Sequence, residues 1–107
     1  MSDPLESKFK QRVKKDLDSL PNCYYFVKEA GALRGIPDII GCVKGRFFGL
    51  ELKRNRQEAT KSAGRVVLQR YHIRQINAAG GEAFITWPDT WDITFKILKN
   101  LAEGITK

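Results

Sequence analysis

Three charged residues stand at one end of an otherwise apolar stretch. Asp38 precedes Ile39-Ile40-Gly41-Cys42-Val43, and Glu51 and Lys53 follow Phe47-Phe48-Gly49-Leu50. Two carboxylates with a lysine beside them suit metal-dependent cutting of a phosphodiester. Carboxylate oxygens select hard divalent ions such as Mg2+, or Mn2+ in its place, and an ammonium neutralises charge developing on the phosphate. The three meet only if the chain doubles back, and Lys44-Gly45 supplies a plausible two-residue loop between two β-prone runs. That loop sets Asp38 opposite Glu51 and puts Lys53, two residues on, on the same face. Like charges opposed across a sheet destabilise it, and a cation between them reverses the sign of that effect. A three-residue loop shifts the register by one, and Asp38 then meets Glu51 only diagonally.

Each part alone has a plain reading. Glu51 and Lys53 read as a solvated strand edge, and Pro37-Asp38 reads as a turn that starts a strand. Their conjunction at one end of an apolar hairpin calls for a common explanation.

The surrounding elements must hold this hairpin. Leu5, Phe9, Val13, Leu17 and Leu20 recur at helical spacing, with Pro4 in the first turn and Pro21-Asn22 ending the run. The other faces of that helix carry Lys8, Arg12 and Lys15 in one row and Lys10 and Lys14 in another, a pattern that tracks a phosphate backbone or is simply solvated. Residues 23–28 are β-branched or aromatic and predict a strand. Residues 29–35 predict a glycine-bearing loop that places Arg34 just before the site, for contact with the DNA at the scissile phosphate. From Arg54 to Arg65 the chain holds four basic residues and one acid with no large apolar side chain, which predicts a solvated loop whose Arg54, Arg56, Lys61 and Arg65 contact DNA. Leu68, Tyr71, Ile73, Ile76 and Ala79 predict a second helix stopped by Gly80-Gly81. Glu82 to Trp87 predicts a strand, and Pro88-Asp89-Thr90 caps a last helix with Trp91, Phe95, Leu98 and Leu101. The fold class is therefore α/β: a single domain over residues 1–107 with a central mixed sheet flanked by helices.

The order Gly35-Ile36-Pro37-Asp38, hairpin, Glu51-Leu52-Lys53, then a helix opening near Gln69, resembles the PD-(D/E)XK nuclease superfamily. More narrowly it resembles the virus-type replication-repair nuclease (VRR-NUC) domain, whose stand-alone form is similar in layout to Holliday-junction resolvases. Where that family commonly has Ser-Pro before the glutamine, this chain has Val66-Val67-Leu68. The resemblance implies a restriction-endonuclease-like core and hydrolysis of phosphodiester bonds in branched DNA by a Mg2+-dependent endonuclease. It implies Asp38, Glu51 and the backbone carbonyl of Leu52 as metal ligands, with Glu6 contributing through water or a second ion. Lys53 then positions water or neutralises charge, and Gln69 orients Lys53 or the nucleophile. It further implies a homodimer, since a four-way junction needs two matched cuts related by a two-fold axis, and it admits a virus-encoded origin.

Composition bounds the alternatives. The 107 residues are 42% hydrophobic with a formal charge of +7. Residues 1–74 hold 16 basic against 8 acidic side chains, and residues 75–107 hold 3 against 4. A basic surface around the carboxylate hairpin has a polyanion as its natural partner. A nonenzymatic nucleic-acid-binding module or a general nicking or flap nuclease accounts for the same charge. The less basic end, with Trp91 and Phe95, is a candidate for burial against a second copy or for ordinary core packing. Cys23 and Cys42 have no metal-ligand spacing and suit a reducing, cytoplasmic setting, and the lone His72 makes no zinc site. The start lacks the apolar region of a secretory signal, and no apolar run approaches the ~20 residues needed to span a bilayer. Neither a membrane partner nor a small-molecule cofactor is called for.

Overall fold

The structure, a computed structural model, describes residues 4–29 and 33–105, with residues 4–6 described by backbone alone. In chain order the elements are α1 (Pro4–Asp18), β1 (Cys23–Val27), β2 (Ile39–Val43), β3 (Arg46–Leu52), α2 (Arg56–Ala59), α3 (Arg65–Ala78), β4 (Glu82–Thr86) and α4 (Pro88–Ala102). The four strands make one sheet in the order β1-β2-β3-β4. β1 to β3 pair antiparallel, and β4 joins parallel to β3, so the sheet is mixed as expected. The parallel step needs a crossover, which the segment carrying α3 provides.

The β2–β3 hairpin adopts the two-residue loop. Lys44 (φ 47°) and Gly45 (φ 81°) both occupy the left-handed region, the requirement of the tight turn whose twist matches its strands. Pairing runs from Val43 with Arg46 to Ile39 with Leu50. One residue further out, the same register sets Asp38 against Glu51.

Alternation then divides the strand residues between two faces. Ile39, Val43, Phe48, Leu50 and Leu52 point to the core face, where Phe9, Val13 and Leu17 of α1 and Trp91, Leu98 and Ala102 of α4 cover them. The α1 stripe packs at the expected spacing, although the Leu5 side chain lies outside the described ones. Trp91 is fully buried, meets Phe9 edge-on at 6.3 Å, and donates from Nε1 to Asp16 Oδ2 at 2.7 Å. Phe95 packs beside it against the same cluster. Core packing thus accounts for α4, whose apolar side finds its complement in the α1 stripe. Pro88 is the first residue of α4, where a missing N–H costs nothing, and Trp87 stands at the N-cap.

Two expectations change. The segment after Lys53 is not all loop: Asn55 Oδ1 accepts from Glu58 N at 2.9 Å and caps α2, and Ala59 is buried. Helix α3 begins at Arg65, not near Gln69, and its buried residues are Val66 and Gln69. Leu68 and Tyr71, expected inside, are 37% and 47% exposed. The reason lies underneath the helix, where Glu51 presents a carboxylate and draws a polar residue inward.

Gly41 sits on the core face between Ile39 and Val43. A Cβ added there would meet the carbonyl oxygen of Tyr24 and lie 2.8 Å from the Phe48 ring. Gly41→Ala is expected to cost roughly 2–4 kcal/mol, because neither a strand backbone nor a buried ring can retreat cheaply. Urea unfolding reads this directly, and an unchanged midpoint would contradict the β1–β2 pairing.

Candidate active site

Glu51, on β3, turns away from the core and beneath α3, where it is 2% exposed. Its Oε2 accepts a hydrogen bond from Gln69 Nε2 at 2.8 Å and lies 3.5 Å from Lys53 Nζ. Its Oε1 has no hydrogen-bond partner among the described residues, and neither has Gln69 Oε1. Burial first, and the Asp38 carboxylate second, push the Glu51 carboxyl up to about 8, against the opposing pull of Lys53 and Lys28.

Asp38 stands one residue ahead of β2, at the mouth of the hairpin. Its Oδ2 accepts from the Leu52 amide at 2.8 Å, which ties the carboxylate to β3 where the ladder ends. Lys53 is held by backbone, its N–H donating to the Thr86 carbonyl at 2.9 Å, so β4 fixes the point from which its side chain leaves the sheet. Leu52 lies between Glu51 and Lys53 with its side chain in the core and its amide on Asp38.

The structure therefore gathers Asp38, Glu51, Lys53 and Gln69. Gln69 differs from expectation in its partner: its amide is bonded to Glu51, not to Lys53. Glu6 belongs to α1, and its side chain lies outside the described residues. Among the described residues no third acid, histidine or cysteine completes a metal-binding group with the two carboxylates.

Lys28 joins the site unannounced by the sequence. The β1–β2 register runs from Cys23 with Val43 to Val27 with Ile39, and one step further Lys28 N donates to Asp38 O at 2.9 Å. Lys28 Nζ then lies 3.9 Å from Asp38 Oδ1 and donates to the Ile36 carbonyl at 3.0 Å, holding the approach to Asp38 in place. The signal was present in principle, since pairing β1 with β2 puts Lys28 opposite Asp38. However, ten residues separate Lys28 from Ile39, and no short turn sets that register.

The basic residues divide into two groups. Arg54, Arg56, Lys61 and Arg65 follow Lys53 along α2 and into α3, on the side of the sheet that Glu51 faces. Lys8, Arg12 and Lys15 are exposed on α1, which packs on the opposite, core face, and Arg12 is paired with Asp92 at 2.9 Å. The α1 row is therefore not brought to the carboxylates. Arg34 is exposed just before Gly35, whose position packs against Leu68 and His72 of α3, while residues 30–32 of that loop lie outside the described residues.

Chemically, two carboxylates at one end of the hairpin, one buried and with an oxygen lacking a donor, are oxygen ligands of the kind a hard cation takes. The unpartnered Glu51 Oε1 is the atom a divalent ion would satisfy, and the residues present fit such an ion. Two ammonium groups flank the pair, Lys28 beside Asp38 and Lys53 beside Glu51. Among the described residues no helix is long and apolar enough to cross a membrane. A scan against protein-family models and searches of curated proteins and of solved structures found no match.

Proposed function

We propose that this chain is a metal-dependent endodeoxyribonuclease of the PD-(D/E)XK superfamily with the VRR-NUC layout, cutting branched DNA, four-way junctions in particular, as a homodimer. In this reading the sheet with α1 and α3 is a restriction-endonuclease-like core. The observation that carries the proposal is the buried Glu51 carboxylate, with one oxygen lacking a partner, beside Asp38 and between two lysines. A basic nucleic-acid-binding module accounts for the charge of +7 but gives no reason to bury that acid.

Asp38 and Glu51, with the Leu52 carbonyl and by resemblance Glu6, would hold Mg2+ or Mn2+, which supplies an activated water and polarises the phosphate. Lys53 would neutralise charge developing on the phosphorane, and its pull on Glu51 favours the ionised carboxylate that a metal requires. Gln69 fixes the rotation of the Glu51 carboxylate through Oε2 and so leaves Oε1 without a donor. Lys28 holds Asp38 and the Ile36 carbonyl together.

Supercoiled plasmid with Mg2+ or Mn2+ should be nicked, and EDTA should stop the reaction. Junction, flap and linear duplex compared side by side, with light scattering at micromolar protein, test the branched-substrate and dimer parts. Binding without cutting in any metal would leave only the binding module, and a monomer without branched preference would leave a general nuclease. Gln69→Ala is expected to slow cleavage about 10- to 100-fold, the usual effect of removing a group that orients a metal ligand. Full activity in that variant would show that the carboxylate keeps its orientation by packing alone.

A further inference from the structure

We infer that the cleft between α2 and the start of α3 is a phosphate subsite, which seats the internal phosphate next to the scissile one on a bound DNA strand. The inference deepens the nuclease reading and rests on it for the identity of the strand.

The cleft encloses about 440 Å3 and is lined by Lys53, Arg54, Lys61 and Arg65 against a single acid, Glu58, with Gly64 in its wall. Glu58 already serves two of these cations, lying 3.7 Å from Arg54 and 3.1 Å from Lys61. Lys53 is paired with Glu51, and Arg54 and Lys61 share Glu58, which leaves Arg65 without an acid partner among the described residues and a positive excess at the cleft wall that a phosphate would relieve. The backbone adds to it. Helix α3, 14 residues long, opens on Gly64 (φ 76°), with no side-chain cap and no acid in its first turn. The positive end of that helix thus stands at the cleft wall where a capping oxygen ordinarily sits.

Lys53 connects the two sites. It lines the cleft while its ammonium lies 3.5 Å from Glu51 Oε2, so the cleft adjoins the carboxylates through one shared side chain, which is why the subsite is assigned to the neighbouring phosphate of the same strand. Arg56, although part of the same basic segment, does not line it.

The test is binding in EDTA, where no cutting occurs, so its outcome is independent of whether wild type nicks DNA in Mg2+. The probes are a short 5′-hydroxyl oligothymidylate, its 5′-phosphorylated form and inorganic phosphate, read by amide shifts at Gly64, Arg65 and Val66 and by affinity over a salt series. Both oligonucleotides are expected to shift these amides alike and more strongly than inorganic phosphate at equal phosphate concentration. Lys61→Ala with Arg65→Ala should weaken oligonucleotide binding about tenfold and reduce the salt slope by roughly 1.4, two contacts at ~0.7 each for single strands. Lys96→Ala with Lys99→Ala, which removes equal charge from α4, should change affinity less than about twofold. Glu58→Gln should tighten binding severalfold, since it removes the one acid in the cleft. The inference is overturned if the two double variants behave alike, if Glu58→Gln leaves affinity unchanged, or if only the 5′-phosphorylated strand or only inorganic phosphate shifts these amides.

Discussion

Glu51→Gln and Lys53→Ala proteins are expected to cut DNA at least about a thousandfold more slowly, a barrier increase of about 4 kcal/mol, with Glu51→Gln binding almost as wild type does and Lys53→Ala somewhat more weakly because Lys53 also lines the basic cleft. Binding survives because phosphate contacts elsewhere supply most of the affinity. Glu51→Gln is the cleaner variant: it keeps the shape of a side chain that is 2% exposed and the neighbourhood of Gln69, and removes only the charge that would hold a cation. Asp38→Asn should lose activity similarly, whereas Asp38→Ala should also lose stability, because the Leu52 amide at 2.8 Å would have no acceptor. A Glu51→Gln protein that cleaves as fast as wild type in the same metal would refute the site.

Without divalent metal, the protein is expected to lose thermal stability as pH rises from about 4.5 to about 8. The Glu51 carboxyl titrates from its usual value of 4.5 in the unfolded chain and near 8 in the folded one, chiefly because it is buried. Between those values the unfolded chain releases a proton that the native state retains, so stability is fully present below the lower value and declines toward the upper one. Two controls isolate the residue. Glu51→Gln should flatten this part of the profile, and Mg2+ should raise the melting temperature of wild type far more at pH 8 than at pH 5, since binding requires the ionised carboxylate. Calorimetry in buffers of different ionisation enthalpy should show protons released on metal binding at pH 7. A wild-type profile that stays level from pH 5 to 8, or that matches Glu51→Gln throughout, would mean that Glu51 is ionised in the metal-free protein.

The local parts of this architecture were legible in the sequence. Lys44-Gly45 closes the hairpin because a two-residue turn with both residues left-handed leaves one register available, and that register alone aligns Asp38 with Glu51. The α1 stripe of Phe9, Val13 and Leu17 was equally plain, since a repeat at helical spacing next to apolar strands has one way to be buried. Where sequence reasoning went astray, the deciding partner was distant. The α3 segment offers Leu68 and Tyr71 as its obvious apolar positions, yet Gln69 goes inside because Glu51, 18 residues earlier, is already there.

What only the tertiary structure decided follows the same logic. Trp91 looked equally fit for a partner surface or a core until α1 supplied Phe9 and the Asp16 carboxylate to receive it. Lys28 could be set beside Asp38 only once β1 had paired with β2 across the intervening loop. The basic residues of α1 and those after Lys53 read as one charged surface along the chain, and the sheet between them puts them on opposite faces. Short-range geometry is dictated by the few residues of a turn or a helical repeat, and so it can be read from them. Pairings across long loops, and the choice of which helix face meets which strand, depend on burying the whole set of apolar and charged groups at once. In this chain that includes one buried carboxylate, which turned a polar residue of α3 toward the sheet.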